Sequence, residues 1–565
     1  MDWGKFADVN PINRDSCDNF VGHSREEMRK RSISKPLWSL AAGILVATAL
    51  NGQDMNPETT TQKFGTLLHY INQIYVDTVD LDDLVELAIV QMLEEMDPHS
   101  MYIAAEDLKA ADEPLNGNFE GVGIQFNIFK DTIMVVSPIA GGPSEKLGIL
   151  AGDRIVTVDG EVVAGTGVTN KDVQRLLKGP KGTKVTVGIK RGGESELLEF
   201  EIIRDKIPIY SVDAAFMVRP EIGYIKVNRF AKTTMSEMYE AFEKLKGQGM
   251  KDLVLDLQGN GGGMLRTATE MADTFLSDDK LVVYTEGRSF PKEETFSHRI
   301  GAFEKGRLVV LIDQGSASAS EIVSGAIQDW DRGLIVGRRS FGKGLVQRPV
   351  SLPDGSAVRL TVQKYYTPSG RCIQKPYDEG VDAYRQEKYD RYESGELLTL
   401  DSLELPDSLK YKTRLQGRTV YGGGGILPDI FVPLDTSDNS GYFSRILRKG
   451  LDSRFALRYV DSLRADLEVI YPSEDAFIER FRLSENEIED FQAFVAEGDI
   501  EFVEEDWAKS GEAIRLRLHA MIGRNLYESS TFYRVIHELN ESLHRAIEIL
   551  EDGTFDKTNL AHKTF

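Results

Sequence analysis

Cysteine and positive charge are scarce in this chain, and each scarcity excludes a class of protein. The 565 residues include only two cysteines, Cys17 and Cys372, and neither has a partner at metal-ligand spacing. The sequence therefore predicts no zinc site. The formal net charge of −23 argues against nucleic acid as the main partner, because binding to phosphates needs clustered Lys and Arg.

Long apolar runs are also missing, apart from one segment near the amino terminus. Leu37 to Leu50 is an apolar run of 14 residues, shorter than the roughly 20 that a membrane-spanning helix needs. Basic residues precede it, and Ala47-Thr48-Ala49 fits a small-residue cleavage site. The segment 1–52 is thus predicted to be an export signal, with Met28 as a candidate true start, and the protein is expected in the periplasm or cell envelope. If the signal is removed, Cys17 goes with it and no intrachain disulfide can form; the alternatives are an uncleaved membrane anchor and a buried core helix.

The length predicts several domains, because 565 residues exceed what one hydrophobic core usually organises. The region 53–115 is predicted to be helical, since apolar residues such as Phe64, Leu67 and Ile71 recur at helical spacing. Asp97-Pro98 ends its second helix, because proline disfavours the helical conformation in the residue before it. A homo-oligomer formed through helical termini is a hypothesis at this point.

The region 116–206 resembles a PDZ domain of the kind found in bacterial proteases. A glycine-punctuated loop leads into short strands, followed by a helix from Asn170 to Leu177 and a strand from Lys184 to Lys190. In PDZ domains a peptide adds as a strand at a sheet edge, and loop N–H groups hold its terminal carboxylate. The matching peptide-binding loop is Gly121-Val122-Gly123-Ile124. The alternative interpretation of this loop is a plain tight turn.

The region 207–435 alternates strands and helices, which favours a parallel or mixed sheet covered by helices. Within it, residues 378–415 are charged and polar and are predicted to form an exposed insertion. The region 436–565 is helical and strongly charged. It carries no recognisable chemistry, so packing or contact with a partner is its expected role.

Three serines alternate in the segment Gly315 to Glu321, at positions 316, 318 and 320. A predicted strand feeds this loop and a predicted helix leaves it. A nucleophile at such a turn benefits from the free N–H groups at the helix amino terminus. Physical reasoning alone does not choose among the three serines. The competing interpretation of Ser318 is structural, because Ser318 with Glu321 forms the capping-box pattern Ser-x-x-Glu.

A base for a serine nucleophile is available in the segment Ser340 to Gln347. Lys343 lies between two glycines, and a lysine can take a proton only if burial or a positive neighbour keeps its amine neutral. Gln347 could hydrogen-bond that amine. The ordinary interpretations are a solvated lysine and an exposed strand glutamine. Within 207–435 the only histidine is His298, in a polar stretch, so a Ser-His-Asp triad has one weak candidate.

Together, the two segments resemble the catalytic core of the C-terminal processing proteases, also called tail-specific proteases, the S41 family of serine peptidases. The spacing from Ser318 to Lys343, 343 minus 318 or 25 positions, matches that family, as does the step of four to Gln347. The resemblance implies that Ser318 is the nucleophile, Lys343 the general base and Gln347 the residue that orients Lys343.

The oxyanion donors would be the backbone N–H groups of Ala319 and Gly262. An acyl-transfer enzyme needs such donors for its tetrahedral intermediate. Gly262 lies in a run that matches the family pattern Arg-x-Asn-x-Gly-Gly, except that Gln258 stands where arginine is usual. The glycine run alone would be a weak signal for a phosphate loop, but no Gly-Lys-Ser/Thr follows it.

We therefore expect a multidomain α/β protein in which a PDZ domain is joined to a crotonase/ClpP-like serine protease core, with helical regions at both ends. Its expected activity is that of an exported serine endopeptidase that cleaves polypeptides with free, apolar C-termini and uses no metal or organic cofactor. An activator or adaptor protein is a further hypothesis. The alternatives are a catalytically silent PDZ scaffold that binds peptides, and a peptidase of the same fold that trims from the amino terminus.

Overall fold

The computed structural model describes residues 57–558, except 140, 193, 299 and 400–404. The predicted signal segment 1–52, with Met28 and Cys17, lies outside the described residues. The chain divides into two units between Leu81 and Asp82. No helix among the described residues combines the length and the apolar composition that a membrane span requires.

The first described elements are two helices, α1 (Pro57–Ile74) and α2 (Leu81–Glu94), in the segment predicted to be helical. None of the side chains of α1 is buried. Helix α2 ends three residues before Asp97-Pro98, and strand β1 (Met101–Ile103) and helix α3 (Leu108–Asn116) follow.

The next module is a small sheet with two helices. Its elements are β2 (Asn118–Gly121), β3 (Ile124–Ile128), β4 (Ile133–Pro138), α4 (Pro143–Lys146), β5 (Arg154–Val158), β6 (Glu161–Val162), α5 (Asn170–Leu177), β7 (Lys184–Lys190), β8 (Leu198–Ile203) and β9 (Asp205–Pro208). The strand order is β3-β4-β5-β7-β8, with β6 beside β5 and a separate β2–β9 pair. Strand β3, which follows the predicted peptide-binding loop, is therefore an edge strand.

The largest module contains a six-stranded sheet in the order β10-β11-β12-β15-β16-β21. The elements of this module are β10 (Val212–Arg219), β11 (Ile222–Val227), α6 (Thr234–Gly247), β12 (Asp252–Asp256), α7 (Leu265–Phe275), β13 (Leu281–Glu286), β14 (Glu293–Phe296), β15 (Leu308–Ile312), α8 (Ala319–Asp329), β16 (Leu334–Gly337), β17 (Leu345–Ser351), β18 (Ala357–Tyr366), α9 (Val381–Glu393), β19 (Lys410–Lys412), β20 (Thr419–Tyr421) and β21 (Ile430–Phe431). Strands β11 to β21 of the sheet are parallel to one another, and β10 is antiparallel.

Three loops of interest leave the same edge of this sheet. The carboxyl ends of β12, β15 and β16 lead into residues 257–263, 313–318 and 338–344. Because parallel strands end at one edge, these loops are brought together there, and such edges are where open α/β sheets place their sites. A second sheet, in which β18 pairs with β1, β13 and β17, carries the strand that follows Lys343.

The C-terminal region is helical, as predicted. It contains α10 (Gly441–Lys449), α11 (Leu451–Ile470), α12 (Glu474–Arg480), α13 (Glu485–Glu497), α14 (Glu504–Leu526), α15 (Ser529–Ile536), α16 (Glu541–Glu551) and α17 (Thr554–Lys557). Helices α10 to α14 bury apolar side chains in clusters of their own. Helix α16 instead packs Leu543, Ile547 and Leu550 against the six-stranded sheet, so the region is partly a wall of the largest module.

Most described residues of the segment 378–415 are exposed or half-buried, but a few side chains are buried. Within it, Tyr384 and Arg391 on α9 and the neighbouring Glu396 are buried. The cause is a set of charges shared with the loop before Lys343, described below. The predicted fold class is otherwise confirmed: a PDZ-like module, an α/β core and helical ends.

Candidate active site

Ser318 is the only accessible serine of the three in its loop. The hydroxyl of Ser316 donates to the carbonyl oxygen of Leu257 (2.8 Å), and that of Ser320 donates to the carbonyl oxygen of Asn260 (2.9 Å). Both residues are fully buried, whereas Ser318 is half-buried. The geometry thus separates two structural serines from one that a substrate could reach.

The backbone of Ser318 is strained. Its φ is 56° and its ψ is −111°, a region that residues with a side chain rarely occupy. Such strain costs on the order of 1–3 kcal/mol and persists only where the surroundings hold the residue in place. Residues 313–318 connect the end of β15 to the start of α8, so Ser318 lies at the amino terminus of a buried helix.

A single buried carboxylate joins the two candidate catalytic segments. Glu321 accepts hydrogen bonds from the backbone N–H of Ser318 (2.7 Å) and from that of Lys343 (2.9 Å). It also accepts from the N–H of Gly342 and the hydroxyl of Ser340. Burial raises the pKa of Glu321 to about 7, although these hydrogen bonds favour the ionised form. Glu321 is therefore more than a helix cap, because it fixes the Lys343 loop against the Ser318 loop.

Tyr365 reinforces this connection. Its buried hydroxyl donates to the carbonyl oxygen of Ser318 (3.0 Å) and also contacts the carbonyl oxygen of Lys343. The loops of Ser318 and Lys343, residues that are 25 positions apart in sequence, thus both contact the carboxylate of Glu321 and the hydroxyl of Tyr365.

The amine of Lys343 lies in an environment that favours its neutral form. Burial lowers the pKa of Lys343, and the charge of Arg359 acts in the same direction. The carboxylates of Asp97 and Glu321 oppose the shift. The net direction is downward, which is what a lysine needs in order to accept a proton.

Gln347 lies on β17 within reach of this amine. Its Oε1 accepts a hydrogen bond from Nζ of Lys343 (3.2 Å). Its Nε2 donates to the carbonyl oxygen of His99, on the segment that precedes β1. The Lys343–Gln347 contact lies where the sequence placed it, but the contribution of His99 was missed, because Asp97-Pro98 was interpreted only as a helix terminator.

The glycine loop lies against the serine as predicted, but one of its amides is already engaged. A Cβ on Gly262 (φ +101°) would come within 2.8 Å of Cβ of Ser318 and 3.0 Å of the amide nitrogen of Ala319, so only glycine fits. The N–H of Gly262, however, donates to Oδ1 of Asn260 (2.9 Å). Among the hydrogen bonds of the described residues, none uses the N–H of Ala319. Of the two predicted oxyanion donors, Ala319 thus has a free N–H in this arrangement, whereas the N–H of Gly262 is engaged by Asn260.

A buried network of charges holds the loop before Lys343 from its other side. Arg339 forms ion pairs with Glu396 (2.7 Å) and Glu387 (3.3 Å). Arg391 donates to the carbonyl oxygens of Arg339 and Ser340. These contacts explain why Arg391 on α9 and the neighbouring Glu396 are buried.

The predicted peptide-binding loop is ordered around a second obligatory glycine. Gly123 (φ +77°) has no room for a Cβ, which would lie 2.8 Å from Cδ1 of Ile207. The carbonyl of Val122 accepts from both the N–H and the hydroxyl of Ser144. The antiparallel bridge between Gly121 and Lys178 sets the N–H of Val122 toward the carbonyl of Leu177, whereas no hydrogen bond between described residues uses the N–H of Gly123. The amide of Gly123 is therefore free to receive an anion beside the open edge of β3, within the loop from Gly121 to Ile124.

Other chemistry finds little support in the described part of the chain. No group of three or more His, Cys, Asp or Glu side chains there could hold a metal ion. His298 is exposed. His99 was not considered as a base from sequence; its ring contacts the hydroxyl of Tyr384 (2.8 Å), and burial with the charge of Lys343 lowers its pKa to about 3.

Residues 221–383 match peptidase family S41, residues 134–191 match a PDZ domain, and residues 442–528 match a family of unknown function. A carboxy-terminal-processing protease of Bartonella bacilliformis is 36% identical over 404 residues, covering 70% of this chain and 89% of the relative. A probable CtpA-like serine protease of Staphylococcus aureus is 33% identical over 337 residues, covering 59% of this chain and 67% of the relative. Among solved structures, the photosystem II D1 C-terminal processing protease is 33% identical, covers 55% of this chain and 83% of that chain, and gives a TM-score of 0.33.

Proposed function

This chain belongs to the carboxy-terminal-processing serine proteases of peptidase family S41, and we propose that it cleaves polypeptides with a Ser318/Lys343 dyad near C-terminal tails that its PDZ domain selects. The observation that carries the dyad is the Glu321 carboxylate, which accepts from the backbone N–H groups of both Ser318 and Lys343. This carboxylate supports the dyad because it holds together the loop of a strained, accessible serine and the loop of a lysine whose amine is desolvated.

The proposed reaction has two halves. Oγ of Ser318 attacks the peptide carbonyl carbon as the amine of Lys343 takes the hydroxyl proton. The free N–H of Ala319 donates to the resulting oxyanion. The C–N bond then breaks, Lys343 returns its proton to the leaving amine, and an acyl-enzyme remains. Water repeats the sequence and releases the second product. Gly262 joins as a second donor only if its N–H leaves Asn260.

Recognition of the tail is proposed for the PDZ domain. The unpartnered N–H of Gly123 would receive the terminal carboxylate, and the open edge of β3 would pair with the peptide backbone. The expected substrates are therefore polypeptides with a free, apolar C-terminus.

Location and assembly are further parts of the proposal. The basic flank and the apolar run before residue 52 support export to the periplasm or cell envelope. Helix α1 leaves Leu67, Tyr70 and Ile74 more than half exposed, which supports a homo-oligomer formed through this helix. If analytical ultracentrifugation shows a monomer, the proposed homo-oligomer is wrong.

The test compares wild type with Ser318→Ala and Lys343→Ala on one unfolded reporter with an apolar tail, which ends either in a free carboxylate or in an amide. We expect wild type to cleave only the free-carboxylate form and both variants to lose cleavage. Lys364→Ala, at an exposed lysine on β18, is the matched control and should cleave normally. Equal cleavage of both reporters would remove tail selection, and no cleavage by wild type would favour a silent peptide-binding scaffold.

A further inference from the structure

The side-chain amide of Gln347 is held at both of its ends. Oε1 accepts from Nζ of Lys343, and Nε2 donates to the carbonyl oxygen of His99. If the amide turned over, its oxygen would face the carbonyl oxygen of His99, and two acceptors repel. Its NH₂ group would donate to the lone pair that a neutral Lys343 needs in order to take a proton. The carbonyl of His99 therefore decides which end of Gln347 Lys343 meets.

A buried turn holds that carbonyl in place. Oδ1 of Asp97 accepts from the backbone N–H groups of His99 (2.8 Å) and Ser100 (2.9 Å). Oδ2 accepts from the hydroxyl of Ser100 (2.5 Å). Asp97 is only 7% exposed, so these bonds are protected from water.

The same turn is attached to the strand that faces Gln347. The hydroxyl of Thr361 donates to Asp97 (3.0 Å), and the N–H of Thr361 donates to the hydroxyl of Ser100 (3.0 Å). In the pairing of β17 with β18, Thr361 is the direct partner of Gln347. The turn and Gln347 thus share one rigid support, although 248 positions separate His99 from Gln347 in sequence.

We propose that Asp97 is a positioning residue for the reaction: it fixes the His99 carbonyl, which aims Gln347, which in turn orients the amine of Lys343 toward Ser318. The proposal rests on the proposed role of Lys343 as the base. The side chain of His99 has no part in it, because its ring is engaged with Tyr384 and the acting group is the backbone oxygen.

A double-mutant cycle on the full chain tests the route through Gln347. We expect Asp97→Ala to lower kcat by about 10- to 100-fold with little change in KM, because small misplacements of catalytic groups have effects of this size. In a Gln347→Ala background the same substitution should lower kcat much less, because the side chain through which Asp97 acts on Lys343 is already absent. Equal losses in the two backgrounds would overturn the proposal.

A pH profile separates positioning from a merely structural role. The charged groups that face Lys343 are Asp97 and Glu321, which raise its pKa, and Arg359, which lowers it; His99 beside it is neutral. Asp97→Asn keeps an oxygen acceptor and removes one negative charge, so the pKa of Lys343 should fall. The acid limb of kcat/KM should move to lower pH. If the acid limb of kcat/KM stays at the same pH and only the fraction of active enzyme falls, the proposal is contradicted.

Two controls complete the test. Tyr102→Phe removes a hydrogen bond to Glu86 (2.8 Å) from the same amino-terminal segment without touching the turn, and it should leave kcat unchanged. Lys343→Ala is measured in parallel. If Lys343→Ala retains cleavage, the dyad fails and the inference fails with it. If Lys343→Ala is inactive and the Asp97 cycle is additive, the inference alone fails.

Discussion

The two faces of the six-stranded sheet are covered by different parts of the chain. On one face, strand residues such as Leu255 and Val310 pack against helices α6, α7 and α8, which come from between the strands themselves. On the other face, Val309 and Leu311 pack against α16 and the residues after it, more than 200 positions downstream. The first face carries α8, the helix that begins directly after the proposed nucleophile Ser318. The second shows that the C-terminal region completes the core that holds the site.

On the first face, a substitution of Glu321, which contacts both candidate catalytic loops, should have the largest effect on cleavage. Glu321→Gln keeps the size of the side chain but replaces one acceptor oxygen by an NH₂ group, which would oppose an N–H of Ser318, Gly342 or Lys343. We expect cleavage to fall by about 100-fold or more, because both catalytic loops shift. An unsatisfied buried donor should also cost about 1–3 kcal/mol of stability. The measurements are kcat on the free-carboxylate reporter and the midpoint of urea unfolding.

The matched control is a second capping box in the C-terminal helices. Ser484 and Glu487 form the same motif at the start of α13, with no catalytic segment attached. Glu487→Gln should leave kcat unchanged. If Glu321→Gln also leaves kcat unchanged, Glu321 is only a cap, as the simpler interpretation of the sequence held.

Breaking the second face should reduce stability with little direct effect on the chemistry. Leu550 on α16 is 2% exposed, and Leu550→Ala should lower the free energy of unfolding by about 2–5 kcal/mol, as large-to-small changes in cores do. Leu245→Ala, in α6 on the opposite face, should have a similar effect. Glu548→Ala, on the exposed side of α16, should change it by less than about 0.5 kcal/mol. If Leu550→Ala behaves like Glu548→Ala, α16 is an appendage after all.

Local patterns in the sequence predict local elements well. The bounds of the helix Asn170–Leu177 and of the strand Lys184–Lys190 are as expected, because the periodicity and turn residues that determine them lie within each segment. The residue types and spacing of Ser318 and Lys343 likewise predict that their two loops are functional, and these loops leave the same edge of the sheet.

Long-range contacts through common groups leave no such pattern. The His99 contribution acts through a carbonyl oxygen, which every residue has, so no residue type marks it. The apolar spacing of α16 indicates a buried face but not the sheet that covers it. At Gly262, the motif fixes the need for a glycine, whereas the engagement of its N–H depends on the rotamer of Asn260.

The smallest predicted effect lies where the second face touches the glycine loop. Gln258, where the family has arginine, accepts at Oε1 a hydrogen bond from Nδ2 of Asn540 (2.9 Å), while Oδ1 of Asn540 caps α16 at the N–H of Leu543 (3.2 Å). Asn540→Asp keeps the cap, since Asp and Asn serve equally there, but loses the donor to Gln258. One net hydrogen bond is worth about 0.5–1.5 kcal/mol, so kcat should fall by roughly two- to tenfold with the unfolding midpoint nearly unchanged. Asn540→Ala, which loses both contacts, should lower both quantities. If Asn540→Asp leaves kcat at the wild-type value, the C-terminal helix supports the sheet but not the oxyanion loop, and the two faces divide stability and chemistry between them completely.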